Sequence, residues 1–307
     1  MSDFVVLSLV PMGIGAFAAV ACALPGNFLI LRRQALIGDA ISHVVLPGIV
    51  AAFLVTGTVA ALPMLAGAAG AAVVAVLLIE AIRRLGRIEP GAAMGVVFTA
   101  MFAGGVLLLE RSDTSSVHLD VEHALYGNLE SLIWLDATGW SSLLDSEALV
   151  GLPPELLRTA VACGAMILFV ALLWRPLKIS TFDEGYARSL GVRTVPLGLA
   201  LVVAAAVAAV AAFDAVGSIL VIAMFICPPA TARLMTNRLE RQVLLSAVIA
   251  AVAALAGYVF AGYGPLWLGR ADAVSAAGMI ATISGLMLGV ACVAAPHRRR
   301  AGEPAAG

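Results

Sequence analysis

Apolar residues run in stretches of about twenty along almost the whole chain, separated by short polar joints in which arginines gather. A hydrocarbon layer of roughly 30 Å is crossed by about 20 helical residues. The pattern therefore predicts nine spans, at about 4–30, 35–56, 60–82, 91–109, 156–174, 194–212, 215–235, 243–262 and 273–294. The two short segments that meet near Phe213 also admit a partly re-entrant reading, which would leave eight. Either count makes this an all-α polytopic membrane protein.

Polar residues inside those spans carry the candidate chemistry. The second span contains GDAISHVVLPG (38–48), where Asp39 and His43 lie one helical turn apart and share a face, with Ser42 beside them. Each charged residue near a helix centre costs roughly 2.5–3.5 kcal/mol on insertion, so a function or a partner must offset it. Pro47 lacks an N–H and leaves the carbonyl of His43 without its usual donor. Carboxylate and imidazole suit manganese and zinc, and suit copper(I) poorly. The competing reading is a packing histidine whose tautomer Asp39 fixes; ionisable residues within a membrane favour the ligand reading.

A second polar stretch, AFDAVGSILVIAMFICPPATARLMTNRL (212–239), has Asp214 near its start, Gly217 for close approach, and Pro228-Pro229. The two prolines predict a break that frees the carbonyls of Met224 and Phe225, a device tolerated where a helix lines a cavity. Asp214 either lines that cavity or caps the helix start. The loop 110–155 holds VHLDVEHALYGNLE, where His118, Asp120, Glu122 and His123 either collect a cation at the mouth of a pathway or are merely solvated. Between spans five and six, RPLKISTFDEGYARSLGV (175–192) predicts a short polar helix opened by Phe182 and closed by Gly191. Its charges interleave with Tyr186, Ala187 and Leu190, which suits docking into a groove on another protein or an ordinary amphipathic connector.

Composition closes off other classes. Of 307 residues 62% are hydrophobic and only 12% charged, which no soluble domain of this size tolerates. A net charge of −1 gives nucleic-acid binding no electrostatic support. Cys22, Cys163, Cys227 and Cys292 sit in separate apolar runs without CxxC spacing and read as small buried hydrophobes. The first thirty residues mimic a signal peptide with ACA (21–23) as a cleavage site, but Asp3 precedes the run and Arg32-Arg33 follow it, which predicts a retained span. GAAMG (91–95) and GLMLG (285–289) allow close helix packing. No strand–loop–helix context supports a nucleotide loop, so the chain is not expected to bind ATP itself.

Positive charge sets an orientation. With the N-terminus outside, Arg32 and Arg33, Arg83, Arg84 and Arg87, Arg175, Lys178, Arg188 and Arg193, Arg233, Arg238 and Arg241, and Arg298 to Arg300 all face the cytoplasm. Only Arg111, Arg158 and Arg270 remain outside, an asymmetry that favours this topology. The C-terminal tail, 301–307, then follows a single transmembrane domain, 1–300, on the cytoplasmic side.

Taken together, LRRQALIGDAISHVVLPG (31–48), FDEGYARSLGV (182–192) and FDAVGSILVIAMFICPPATARLMTNRL (213–239) resemble the metal-ion permease family of bacterial ABC importers, of the metal/vitamin B12-type class. HLDVEHALYGNLE and SAAGMIATISGLMLGVACVAAPHR are similar to its manganese/zinc branch. The resemblance implies an inner-membrane permease that dimerises, as a homo- or heterodimer, around a central pathway. It implies ABC ATPase subunits below and an extracytoplasmic metal-binding protein above, with no catalysis by the chain and a transported divalent ion (manganese or zinc, or iron(II)) instead of a bound cofactor. Asp39 and His43 would line the pathway, and Asp214 would stand where the branch commonly has an acid. Asp183, Glu184, Ala187, Arg188, Leu190 and Gly191 would form the element, within 176–193, that couples to the ATPase. Two other classes compete: an ion-coupled secondary transporter using Asp39 and His43 as a proton relay, for which inverted repeats would speak, and an intramembrane metalloenzyme, which lacks an HExxH motif.

Overall fold

A computed structural model describes residues 4–34, 37–58, 61–111, 127, 129–267, 269 and 274–294, with most of their side chains. Among them the chain is helical and contains no strand. The main elements are α1 (Val10–Leu31), α2 (Ile37–Thr56), α3 (Ala61–Gly86), α4 (Pro90–Arg111), α5 (Pro154–Leu172), α6 (Trp174–Phe182), α7 (Glu184–Ser189), α8 (Thr194–Met235), α9 (Leu239–Trp267) and α10 (Ala276–Ala294). Nine segments among the described residues are long and apolar enough to cross a membrane. Around Phe213 the chain forms two arms of the kinked helix α8, Thr194–Phe213 and Ala215–Met235, each long and apolar enough to cross a membrane.

The helix α1, entered through a π-helical turn at Val5–Leu9, is apolar on every side and sits at the centre, packed by α5, α8 and α9. Ile14, Ala18, Cys22, Phe28 and Leu29 are buried there, as expected of a helix with no polar face. In contrast, α3, α4 and α10 turn Leu77, Leu78, Val96, Leu107, Leu286 and Val290 outward, the chemistry of a lipid-facing surface.

α2 packs against α3, α4 and α8. It crosses α3 at glycines: a methyl group on Gly48 would lie 2.6 Å from the carbonyl oxygen of Gly67, so only small residues permit this approach. At the end of the bundle opposite the arginine-rich joints, part of the 110–155 segment folds onto the helices. Trp134 is fully buried, its backbone N–H donating to Val6 at 2.9 Å and its indole N–H to the Ala148 carbonyl at 2.8 Å. Glu130 accepts from the backbone N–H of Ala276 and so caps α10.

The break expected at Pro228-Pro229 is not where the prolines are. α8 stays helical through both and leaves helical geometry at Gly217, where φ is 73° and ψ 169°. Packing accounts for part of this. The carbonyl of Phe225, freed by Pro229, lies against Gly26, where a Cβ would come within 2.4 Å of the oxygen, so a neighbouring helix covers the gap that the proline leaves.

Candidate functional site

Asp39 and His43 lie in the first turns of α2, and Asp39 Oδ1 stands 3.5 Å from His43 Nε2. Two ligands of a tetrahedral centre with bonds of about 2.1 Å are about 3.4 Å apart, so one cation can meet both atoms without rearrangement. In the isolated chain the side chains keep 34% and 40% of their surface open, while Val44, Val45, Pro47 and Gly48 of the same helix are buried. The pair therefore faces away from the chain's own core.

α4 supplies the walls around the imidazole. Phe98 stacks on His43 with centroids 5.3 Å apart, and Phe102 meets it edge-on at 5.8 Å. These two phenylalanines stand at i and i+4, one above the other on a helix face. Within an apolar run that spacing reads as ordinary packing, which is why the sequence did not single them out. Pro47, one turn beyond His43, seats its ring against Gly105, where a Cβ would lie 2.5 Å from the proline Cβ. The helix continues through Pro47.

The turn of α8 that carries Asp214 runs beside α2, because Val210 and Phe213 share a small buried cluster with Val45. Asp214 precedes the Gly217 kink on the backbone; its side chain lies outside the described residues. Gly127 packs into the same kink, where a Cβ would come within 2.4 Å of the Val216 carbonyl carbon. His118, Asp120, Glu122 and His123 lie outside the described residues, as does the side chain of Ser42. Among the described residues no group of three or more His, Cys, Asp or Glu forms a metal cluster. Among the described residues, the structure brings Asp39 and His43 together.

The 182–192 element is a one-and-a-half-turn helix with both ends closed. Phe182 ends α6 and does not open α7; the opening residue is Asp183, whose carboxylate accepts from the Tyr186 N–H at 2.8 Å. Gly191, at φ 81°, closes it, with Val192 N–H donating to Ala187 and Gly191 N–H to Arg188, both at 3.0 Å. Arg188 donates to Glu184 at 2.5 Å and to the Thr194 hydroxyl at 3.1 Å, and that hydroxyl donates to Glu184 at 3.0 Å. The Arg188 hydrogen bond, with help from Thr194 and the charges of Arg188 and Arg32, holds the Glu184 carboxyl below its usual range against a smaller opposing effect of burial. Ala187 is fully buried and anchors the helix, while Phe182, Tyr186 and Leu190 are each more than half exposed. Beside them a cleft of about 990 Å³ is lined by Arg32, Glu80, Arg83, Thr181, Glu184 and Arg188, among others.

Among the described residues, nine helices long and apolar enough to cross a membrane, an acid–imidazole pair on an open helix face, and a short tied helix that exposes Tyr186 and Leu190 make up the build of a transporter's membrane subunit. The ABC 3 transport family matches residues 8–137 and 147–294, and the chain belongs to that family. It is 36% identical over 282 residues to the manganese transport system membrane protein MntD of Bacillus subtilis, covering 92% of this chain and 90% of that protein. It is 36% identical over 287 residues to the zinc transport system membrane protein TroD of Treponema pallidum, covering 92% and 72%. Among solved structures it resembles PsaBC from Streptococcus pneumoniae in complex with Fab, with a TM-score of 0.73, 27% identity and coverage of 94% and 92%.

Proposed function

We propose that the chain is the permease subunit of an ATP-driven importer of divalent transition-metal ions, manganese or zinc, with iron(II) also within reach of the same ligands. The observation that carries this reading is the 3.5 Å pairing of Asp39 Oδ1 with His43 Nε2 on an open face of a membrane helix. Family membership supplies the ATP-driven class, and the metals named for the relatives agree with carboxylate and imidazole donors.

The chain sits in a bacterial inner membrane with its N-terminus outside and its arginine-rich end in the cytoplasm. An extracytoplasmic binding protein delivers the ion to the outer end, near the segment that Gly127 pins against the α8 kink. The ion passes to Asp39 and His43, a sparse pair of donors; transit requires a site that releases as readily as it binds. Asp214 joins the same passage, and His118, Asp120 and His123 stand at its mouth. A second permease chain, identical or paralogous, faces the open side of α2 and contributes further ligands. ATPase subunits engage α7 through Tyr186 and Leu190, with Glu184, Arg188 and Thr194 keeping that helix rigid, and their closure opens the passage inward. A secondary transporter needs no such docking face, and the family assignment argues against it.

The test is uptake by proteoliposomes that hold the permease, ATPase and binding protein, offered manganese and zinc in turn. Wild-type complex should import with ATP and not without it, and Asp39→Asn and His43→Ala should each lose more than about 100-fold, beyond the effect of a lost supporting residue. Full uptake by both variants would remove the site, and uptake independent of ATP would remove the class.

A further inference from the structure

Arg32 reads in the sequence as one of several positive charges that orient the chain. Its side chain does something more specific. α1 ends in a closed turn in which Gln34 N–H donates to Leu29 at 2.8 Å and Arg33 N–H to Ile30 at 3.0 Å, with Arg33 at φ 57°. Ile37 N–H then donates to Gln34 at 3.1 Å as α2 begins. The joint between α1 and the helix bearing Asp39 and His43 is therefore short and hydrogen-bonded.

From that joint the Arg32 side chain reaches across to the end of α6. Its Nε donates to Thr181 Oγ1 at 3.1 Å and its Nη2 to Ser180 Oγ at 2.9 Å. Ser180 is fixed in turn, donating to the Pro176 carbonyl at 2.7 Å. Phe182 follows, then Asp183, which caps α7. The guanidinium is partly desolvated, which lowers its pKa, and the Glu184 carboxylate of α7 opposes that effect. A guanidinium that only marked the cytoplasmic side would stay in water; this one spends two fork nitrogens on adjacent hydroxyls.

We propose that Arg32 is the positioning residue that links movement of α7 to α2: when α7 moves, the Ser180–Thr181 pair pulls the α1–α2 joint through the Arg32 fork and shifts Asp39 and His43. The reading rests on α7 being the ATPase-docking helix, and the fork explains how a surface helix acts on a site at the far side of a tight turn. Lysine keeps the charge and the insertion signal but presents its donors from one nitrogen, without the planar fork that places two nitrogens on the two hydroxyls. Arg32→Lys therefore separates the link from topology.

Two readouts test it in the full complex. The first is ions imported per ATP hydrolysed, which should fall about tenfold in Arg32→Lys and in Ser180→Ala/Thr181→Val while the ATPase still copurifies. Combining the two changes should add nothing further, because they break one link. The second does not depend on the cargo: a thiol placed by His43→Cys, labelled with an impermeant maleimide and read against the chain with His43 intact. ATP should change its labelling rate about fivefold or more when Arg32 is present and leave it unchanged when the same chain also carries Arg32→Lys. An equal response to ATP in both backgrounds overturns the link, whatever ion is carried. Loss of ATPase copurification in step with uptake also overturns it, by making Arg32 a docking residue. Absence of divalent import in the wild type counts against the permease reading alone, since the thiol readout stands apart from it.

Discussion

His43 is oriented by aromatic rings as much as by its acid. Phe98 stacked at 5.3 Å and Phe102 edge-on at 5.8 Å restrict rotation of the imidazole and keep Nε2 beside Asp39. Aromatic contacts of this kind contribute about 0.5–1.5 kcal/mol beyond buried area. Phe98→Ala should therefore raise the KM for uptake several-fold at an unchanged amount of folded protein, and Phe98→Tyr should stay near wild type; direct uptake assays over a range of metal concentrations check both. Arg33 poses the opposite problem. It occupies the left-handed position that closes α1, a conformation costing an ordinary residue about 1–2 kcal/mol. Arg33→Gly should be tolerated, whereas Arg33→Val should lower the melting temperature in detergent, measured by tryptophan fluorescence. The pairing of Asp39 with His43 was legible in the sequence because residues four apart share a helix face. The ring cradle and the Arg33 turn were not: phenylalanine in a span looks like core, and a helix stop without glycine carries no local sign.

At the level of elements, periodicity and length placed all nine spans to within a few residues, because lipid leaves helix as the only way to satisfy the backbone of a lone apolar span. The shape of α8 was harder to read. Proline is the stronger local signal, yet its consequence depends on what neighbours do with the freed carbonyls, and here Gly26 packs against one of them. The kink fell to Gly217, whose φ of 73° and ψ of 169° belong to a region almost confined to glycine. Gly217→Ala should cost roughly 1–3 kcal/mol and lower the thermal midpoint of the purified permease; an unchanged midpoint would mean the kink relaxes freely. A second element-level device joins α1 to α9, where three fully buried polar side chains meet. Asn27 donates to Ser246 at 2.6 Å and accepts from Gln242 at 3.1 Å. Gln242 Oε1 has no hydrogen-bond partner. Removing the hub strands the Gln242 amide N–H, while the Ser246 hydroxyl keeps its donation to Val243 at 2.8 Å, so Asn27→Leu should destabilise by about 1–3 kcal/mol, while Gln242→Leu, which also removes the stranded oxygen, should cost less. Thermal midpoints of the two variants, compared side by side, decide the order.

For the whole molecule, the proposed metal passage raises the question of what would complete the Asp39–His43 pair. One chain offers two donor atoms and no described cluster of three, yet divalent transition metals bind four or more ligands, some of them water. The chain buries α1 and most of α8 at its centre, whereas the open side of α2 is polar at the pair and so is ill suited to lipid, which gives water no route to it. A second chain placed on that side would bring another acid and imidazole across the axis, or a paralogue's equivalents, and would seal both from lipid at once. The stoichiometry follows from this geometry. Purified permease titrated with manganese, with the bound ion counted by electron paramagnetic resonance, should saturate near one ion per two chains. Asp39→Asn should abolish that binding while leaving the chains associated on size-exclusion chromatography. Saturation at one ion per chain would mean that each chain finishes its own site, and the open face of α2 would then have to be covered for some reason other than metal.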